Sequence, residues 1–292
     1  MKPISRLTVL LLVFIISGFR IAEAQSPALT THVVIISIDG GKASLLRNGH
    51  LPNLDRLVQE GAVTWAAQTV LPSVTLTSHT SMLTGRTPRE HKMIWDDWEP
   101  SKGYVKVPTI FQLAQPAHLS SMMIVAKKKL QHIAPPGSVG EFIIAGDMDF
   151  QVARKAAEVI QKGPPNLLFI HLPDMDGYGH KYGWGSKEQI ESMHGTDKAL
   201  GTIFAAMEKK GLYKTSIIIV SADHGGHSHK HGSSSPEDMT IPWIIHGPGL
   251  KPGFKISAPV NTIDTAATAL YVLGVKLPTD WTAKPVLSAF GR

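Results

Sequence analysis

The chain has 292 residues, 43% of them hydrophobic and 18% charged, with 29 lysines and arginines against 23 aspartates and glutamates and a net charge of +6. That length supports one large α/β domain with a full core, and so small an excess of base gives no argument for a nucleic-acid partner. The absence of cysteine excludes disulfides, thiolate ligands and a cysteine-linked lipid, so a bound metal must be held by oxygen and nitrogen.

At the start, Lys2 and Arg6 precede an apolar stretch from Leu7 to Phe19, and Ala22-Glu23-Ala24 offers a small-x-small cleavage site. The layout is that of a signal peptide over 1–24, with an apolar core too short to span a bilayer. It predicts an exported protein, periplasmic or extracellular, with one domain over 25–292 and no membrane span once cleaved. Cleavage removes Lys2, Arg6 and Arg20 against Glu23 and lowers the net charge from +6 to +4.

The next elements alternate. "VVIISIDGG" (33–41) is a β-branched run ending at Asp39, and "LPNLDRLVQEG" (51–61) has helical periodicity. In "VLPSVTLTSHTSMLTGRTPREH" (70–91), hydroxyls at Ser73, Thr75, Thr77 and Ser78 precede an apolar turn through Met82 and Leu83 to Gly85. This predicts a loop feeding a helix N-terminus, a place that favours an anion. "IWDDWEPSKGY" (94–104) follows; Trp95, Trp98 and Tyr104 there either line a pocket or pack a small cap within 92–148. Lys127-Lys128-Lys129 reads as a solvated turn, because neither aromatic nor glycine-rich context accompanies it.

Two more apolar runs end in aspartate. "NLLFIHLPDMDGYGH" (166–180) carries Asp174 and Asp176, and "SIIIVSADHGG" (216–226) carries Asp223. Helical patterns occupy 149–163 and 186–211, and a late strand, "TIPWIIHGPG" (240–249), precedes a late helix over 262–274. Unbroken β-branched runs alternating with helices predict a doubly wound, mostly parallel sheet with helices on both faces. In such sheets ligands bind beyond the carboxyl ends of the strands, so aspartates from three strands gather on one rim.

Histidines stand beside two of these aspartates. Asp176 and His180 are four apart, Asp223 and His224 are adjacent, and "SADHGGHSHKHG" (221–232) adds His227, His229 and His231. Carboxylate oxygen and imidazole nitrogen suit zinc, manganese or a similar divalent ion. Gly177, Gly179, Gly225 and Gly226 are read as bends that let these side chains converge. A hydroxyl such as that of Thr75 becomes a useful nucleophile where a metal lowers its pKa.

In this order, the strand ending at Asp39, the hydroxyl loop with Thr75, "DGYGHKYG", "ADHGG" and "IPWIIHGPG" resemble the alkaline phosphatase superfamily, and within it the type I phosphodiesterase/nucleotide pyrophosphatase branch. The likeness spans nearly the whole mature chain and includes "TIDTAATALYVLGVKLP" near its end. It implies two divalent metal ions, usually zinc, with manganese as the alternative. Carried across by position, one ion takes Asp39, Thr75, Asp223 and His224, and the other takes Asp176, His180 and His231. Thr75 is then the nucleophile, forming a phospho-threonine on a small phosphorylated substrate such as a nucleotide. His227 and His229 remain loop residues, either supporting the ligands or solvated, and Asp174 has a loop or capping role.

The sequence departs from the family pattern at two places. Ser78 stands where the family often has an asparagine contacting a phosphoryl oxygen, and His91-Lys92 replaces a His-Gly pair. His79 and His91 are expected to pack. "SVTLTS" lacks the Cys- or Ser-x-Pro-x-Arg signature of formylglycine sulfatases. Phosphomonoesterase and phosphonate hydrolase readings share the same core. A His-rich metal-binding module without turnover is the reading from another class, and it gives Thr75 no task.

Overall fold

The structure is a computed structural model describing residues 28–291, so the expected leader and its cleavage site lie outside the described residues. The runs read as strands pair in one eight-stranded sheet. It comprises β1 (Val33–Ile38), β2 (Ala62–Gln68), β3 (Ser121–Val125), β4 (Glu141–Ile144), β5 (Leu167–Leu172), β6 (Ile217–Ala222), β7 (Thr240–His246) and β8 (Phe254–Lys255), in the order β4-β3-β5-β1-β6-β7-β2-β8. Only β7 runs against its neighbours.

Pro242 lies inside β7 although it has no amide to donate. The sheet absorbs it with a bulge: between the pairs Thr64↔Trp243 and Ala67↔Ile241, β2 spends one residue more than β7. Ser221 Oγ donates to the Pro242 carbonyl at 2.8 Å.

Residues of β1, β5 and β6 are buried throughout because both faces are covered. Val33, Ile35, Phe169 and Ile219 pack toward α3 (Thr75–Thr84), α5 (Ile110–Ala114) and α10 (Asp264–Val272). Val34, Ile36, Ile170 and Val220 point the other way, onto α2 (Pro52–Glu60), α6 (Asp149–Lys162) and α8 (Lys187–Lys209). Period-two alternation thus divides one set of β-branched runs between two cores. Pro52 at the start of α2 and Ser186 capping α8 through the Gln189 amide supply local starts. Gly85, at φ +65°, closes α3 in the left-handed conformation.

The segment 92–148, expected to hold a cap, supplies β3 and β4 of the main sheet. The part before Ser121, the connection over 126–140 and residues 145–148 lie outside it. No helix of the described residues is long and apolar enough to cross a membrane.

Candidate metal centre

Register places the rim. Ile38 of β1 pairs with Leu172 of β5 and with Ala222 of β6, so the chain leaves all three strands at one level. Asp39 and Asp223 are the next residues of β1 and β6, while β5 passes through Pro173 into α7 (Asp174–Tyr182). Asp176 and His180 are therefore one turn apart on a helix and share a face. Helical spacing, rather than the expected bend at Gly177 and Gly179, makes them converge; both glycines lie within α7.

Glycines matter here for close approach. A Cβ on Gly225 would lie 2.0 Å from the Glu237 carbonyl oxygen, and one on Gly226 would lie 2.2 Å from the Trp184 ring. The chain is thereby free to carry His224 inward and to return with His231.

Two groups of side chains result, Asp39 with Asp223 and His224, and Asp176 with His180 and His231; in each, one ligand atom per residue lies within 4.8 Å of the others. His224 and His231 stack at 3.6 Å between ring centroids and join the two groups. His224 Nδ1 lies 2.8 Å from the Gly225 carbonyl, which can only accept, so its Nε2 carries the lone pair toward the carboxylates. That Nε2 is 3.5 Å from Asp39 Oδ1 and 3.3 Å from Asp223 Oδ2. Thr75 begins α3 with its Oγ1 3.4 Å from Asp39 Oδ1.

Asp39 Oδ2 receives Lys127 Nζ at 2.7 Å and His171 Nε2 at 2.7 Å. The same ammonium is 2.5 Å from Asp176 Oδ2. Lys127 is thus no solvated turn residue; it reaches inward between the two groups. Burial pushes the Asp39 carboxyl up, but Lys127 and His171 outweigh it and hold it well below its usual range. Burial, then Asp39, push Asp176 up as well, and Lys127 and His180 reverse the sign. Asp223 makes no ion pair with Lys127, whose pull is outweighed, and burial next to Asp39 leaves it well above its usual range. Burial lowers His231 to about 4 and His79 to about 3, so both rings are neutral.

The donor set fits a divalent ion. Asp176 Oδ1, Asp223 Oδ2 and His224 Nε2 are buried without a hydrogen-bond partner, and orphaned buried acceptors of this kind are costly unless a cation meets them. Asp39 and Asp176, both held in the charged form, share the Lys127 ammonium, which leaves an excess of negative charge.

Other expected residues take different places. Ser78 Oγ donates to the Asp223 carbonyl at 2.7 Å and pairs with Thr69 Oγ1 at 2.8 Å, so its hydroxyl is committed away from a phosphoryl oxygen. Trp95 and Trp98 turn their rings on His132, at 5.7 and 4.4 Å between centroids, and Tyr104 is half-buried. His227 is partly exposed and also paired; its Nδ1 meets Asp238 Oδ1 at 2.7 Å. His229 is exposed, and its carbonyl takes His180 Nδ1 at 2.9 Å. Asp174 caps: its Oδ1 accepts the Asp149 amide at 3.1 Å, and its own amide donates to Asp149 Oδ1 at 2.9 Å. His79 and His91 pack as expected, His79 between the Thr75 carbonyl and Ser37 Oγ, His91 against Ser81 Oγ.

Sequence reading missed Lys127, His171, Asp96 and Trp184. Asp96 Oδ1 accepts the Leu76 amide at 2.8 Å, so an anion of the chain's own sits at the start of α3. Trp184 Nε1 donates to the Gly40 carbonyl at 3.1 Å. Only for Lys127 was there a signal, a basic run directly after a strand.

Comparison with known proteins gives the family and the fold. Human GPI ethanolamine phosphate transferase 2, catalytic subunit, is 25% identical over 284 residues, 87% of this chain and 27% of its own length. Human bis(5'-adenosyl)-triphosphatase is 23% identical over 238 residues, 75% of this chain and 52% of its own. The chain thus spans between about a quarter and a half of these relatives. The fold matches murine ectonucleotide pyrophosphatase/phosphodiesterase 5 in complex with AMP, with a TM-score of 0.74 at 15% identity over 86% of this chain and 97% of that one. It also matches a 2-O GAG sulfatase, with a TM-score of 0.74 at 14% identity over 90% and 75%. The family model for type I phosphodiesterase/nucleotide pyrophosphatase matches residues 33–234, from the first residue of β1 to just past His231, and the chain belongs to that family.

Proposed function

We propose that this chain is an exported, metal-dependent phosphoric ester hydrolase, a phosphodiesterase or nucleotide pyrophosphatase that works through Thr75. The observation that carries the reading is a hydroxyl at a helix start, 3.4 Å from a carboxylate, beside three buried acceptor atoms without partners. A metal store has no use for that hydroxyl. Asp39, Asp223 and His224, with Thr75, would hold one divalent ion, and Asp176, His180 and His231 the other. Zinc suits the nitrogen and oxygen donors, with manganese the alternative. When bound, the ions supply positive charge for the phosphate and lower the pKa of an oxygen nucleophile.

The chain's own residues then have separate tasks. Thr75 Oγ1 bonds phosphorus as the group on the opposite side departs with a proton, leaving a phospho-threonine that water cleaves. The Asp96 carboxylate and the Thr75 carbonyl contact of His79 fix the first turn of α3, and with it the hydroxyl. A nucleotide substrate is supported by the likeness to the human bis(5'-adenosyl)-triphosphatase and to the murine neighbour that binds AMP.

The test compares zinc-loaded protein on bis-p-nitrophenyl phosphate and p-nitrophenyl phosphate, alongside Thr75→Ala. Diester turnover above monoester turnover, reduced at least about 10³-fold in the variant, is the expected result. Monoester preference moves the reading to a phosphomonoesterase on the same site. Metal uptake with no turnover on either ester overturns the ester hydrolase reading.

A further inference from the structure

The three consecutive lysines after β3 have three different addresses. Lys128 Nζ lies 5.3 Å over the Trp98 ring, and Lys129 Nζ pairs with Asp96 Oδ2 at 2.7 Å. Lys127 turns inward, and its ammonium lies 2.7 Å from Asp39 Oδ2, 2.5 Å from Asp176 Oδ2 and 3.4 Å from Thr75 Oγ1. Among the ion pairs of the described residues, no other lysine or arginine touches Asp39, Asp176 or Asp223.

An ammonium has three N–H donors in a roughly tetrahedral fan. Two are on carboxylates, and the longest contact points at the hydroxyl. An atom attacked by that hydroxyl sits roughly 3 Å from it, which puts the oxygens on that atom within reach of Lys127 Nζ. Ser78 cannot make this contact, because its hydroxyl is on the Asp223 carbonyl.

Lys127 also faces open space. It borders a cavity of ≈ 390 Å³ lined further by Met148, Asp174, Tyr178, Lys181 and Tyr182.

We propose that Lys127 is a substrate-contacting residue of this site: its ammonium receives a non-bridging phosphoryl oxygen. This rests on the reading of the chain as a phosphoric ester hydrolase. Lys127 then does the work the asparagine-like Ser78 was expected to do, with a full charge instead of a hydroxyl.

The experiment uses the metal-loaded full chain with Lys127→Gln and Lys127→Arg. The readouts are metal content, thermal midpoint, kcat/KM and the inhibition constant of inorganic phosphate. We expect the Gln variant to keep its metal and its midpoint while phosphate inhibition weakens about 10- to 100-fold, with partial rescue by Arg. An unchanged inhibition constant with altered metal content or midpoint overturns the proposal and leaves Lys127 a counter-charge for the carboxylates. A second measurement needs no variant and no turnover: acetylation of the lysines of the wild-type holoprotein, read by mass spectrometry with and without phosphate. Selective protection of Lys127 over Lys128 supports the proposal, and equal labelling overturns it. A wild type that hydrolyses no phosphate ester sinks the functional reading alone, because the protection assay still decides the contact.

Discussion

His180 and His231 meet Nε2 to Nε2 at 3.0 Å, and each has its Nδ1 on a backbone carbonyl, that of His229 and that of Ser73 respectively. Carbonyls only accept, so both Nδ1 atoms carry hydrogen, and the Nε2 contact needs a cation between the rings, either a proton, which Asp176 favours on His180, or a metal ion. Asp176 Oδ1 lies 3.4 Å from both nitrogens. Such a triangle is held together by a cation. His231→Ala is therefore expected to lower bound metal by about one equivalent per chain, and to weaken affinity at least as much as loss of a supporting partner, about 10- to 100-fold. Mass spectrometry under native conditions with added zinc reads both.

Gly40 ties the three aspartates together. It follows Asp39, its amide donates to Asp223 Oδ1 at 3.1 Å, and a Cβ on it would lie 2.8 Å from Asp176 Cα. At φ +68° an alanine is also strained. Gly40→Ala is expected to cost about 1–3 kcal/mol of stability and to reduce metal content, whereas Gly177→Ala, which meets nothing within 4 Å, leaves metal content intact. Thermal melts paired with metal analysis separate the two.

Asp149 brings a pH dependence away from the metal residues. Burial, then the neighbouring Asp174, raise its pKa from 3.8 to about 7. Below pH 3.8 the carboxyl is protonated folded and unfolded, and its full contribution to stability is present. As pH rises toward 7 the unfolded state releases the proton first, and the contribution is lost. Asp149→Asn keeps an acceptor for the Asp174 amide but no longer titrates. The variant is expected to show a flatter decline in unfolding free energy between about pH 4 and 7, measured by urea titration. Parallel curves for variant and wild type would refute the assignment.

Trp98 packs on His132, whose Nδ1 holds the Gly103 carbonyl and whose Nε2 takes the Glu99 amide. Trp98→Ala should lower stability by about 1–3 kcal/mol and leave KM unchanged. A raised KM at unchanged stability would instead return this ring to a substrate pocket.

Much of the site was legible because its signals are local. A β-branched run stopping at an aspartate marks the end of a buried strand, so Asp39 and Asp223 could be placed on one rim without coordinates. The spacing of Asp176 and His180 is one helical turn, and the motif order named the family. Legibility failed where a residue's role depends on what lies across the fold. His171 looks like any strand residue, yet period-two alternation turns it toward Asp39, 132 positions away. Lys127 looked like a solvated turn because its partners Asp39 and Asp176 are 88 and 49 positions away along the chain.

The sequence by itself determined the strands and helices of the centre, the rim that collects the acidic residues and the ligand chemistry, since burial periodicity and side-chain type are written residue by residue. Tertiary structure decided the reversed direction of β7, the recruitment of β3 and β4 from a segment resembling a cap, the commitment of Ser78 and the inward turn of Lys127. Those follow from which distant groups meet, and a buried hydroxyl or ammonium takes whichever partner the crossing chain brings within hydrogen-bond reach.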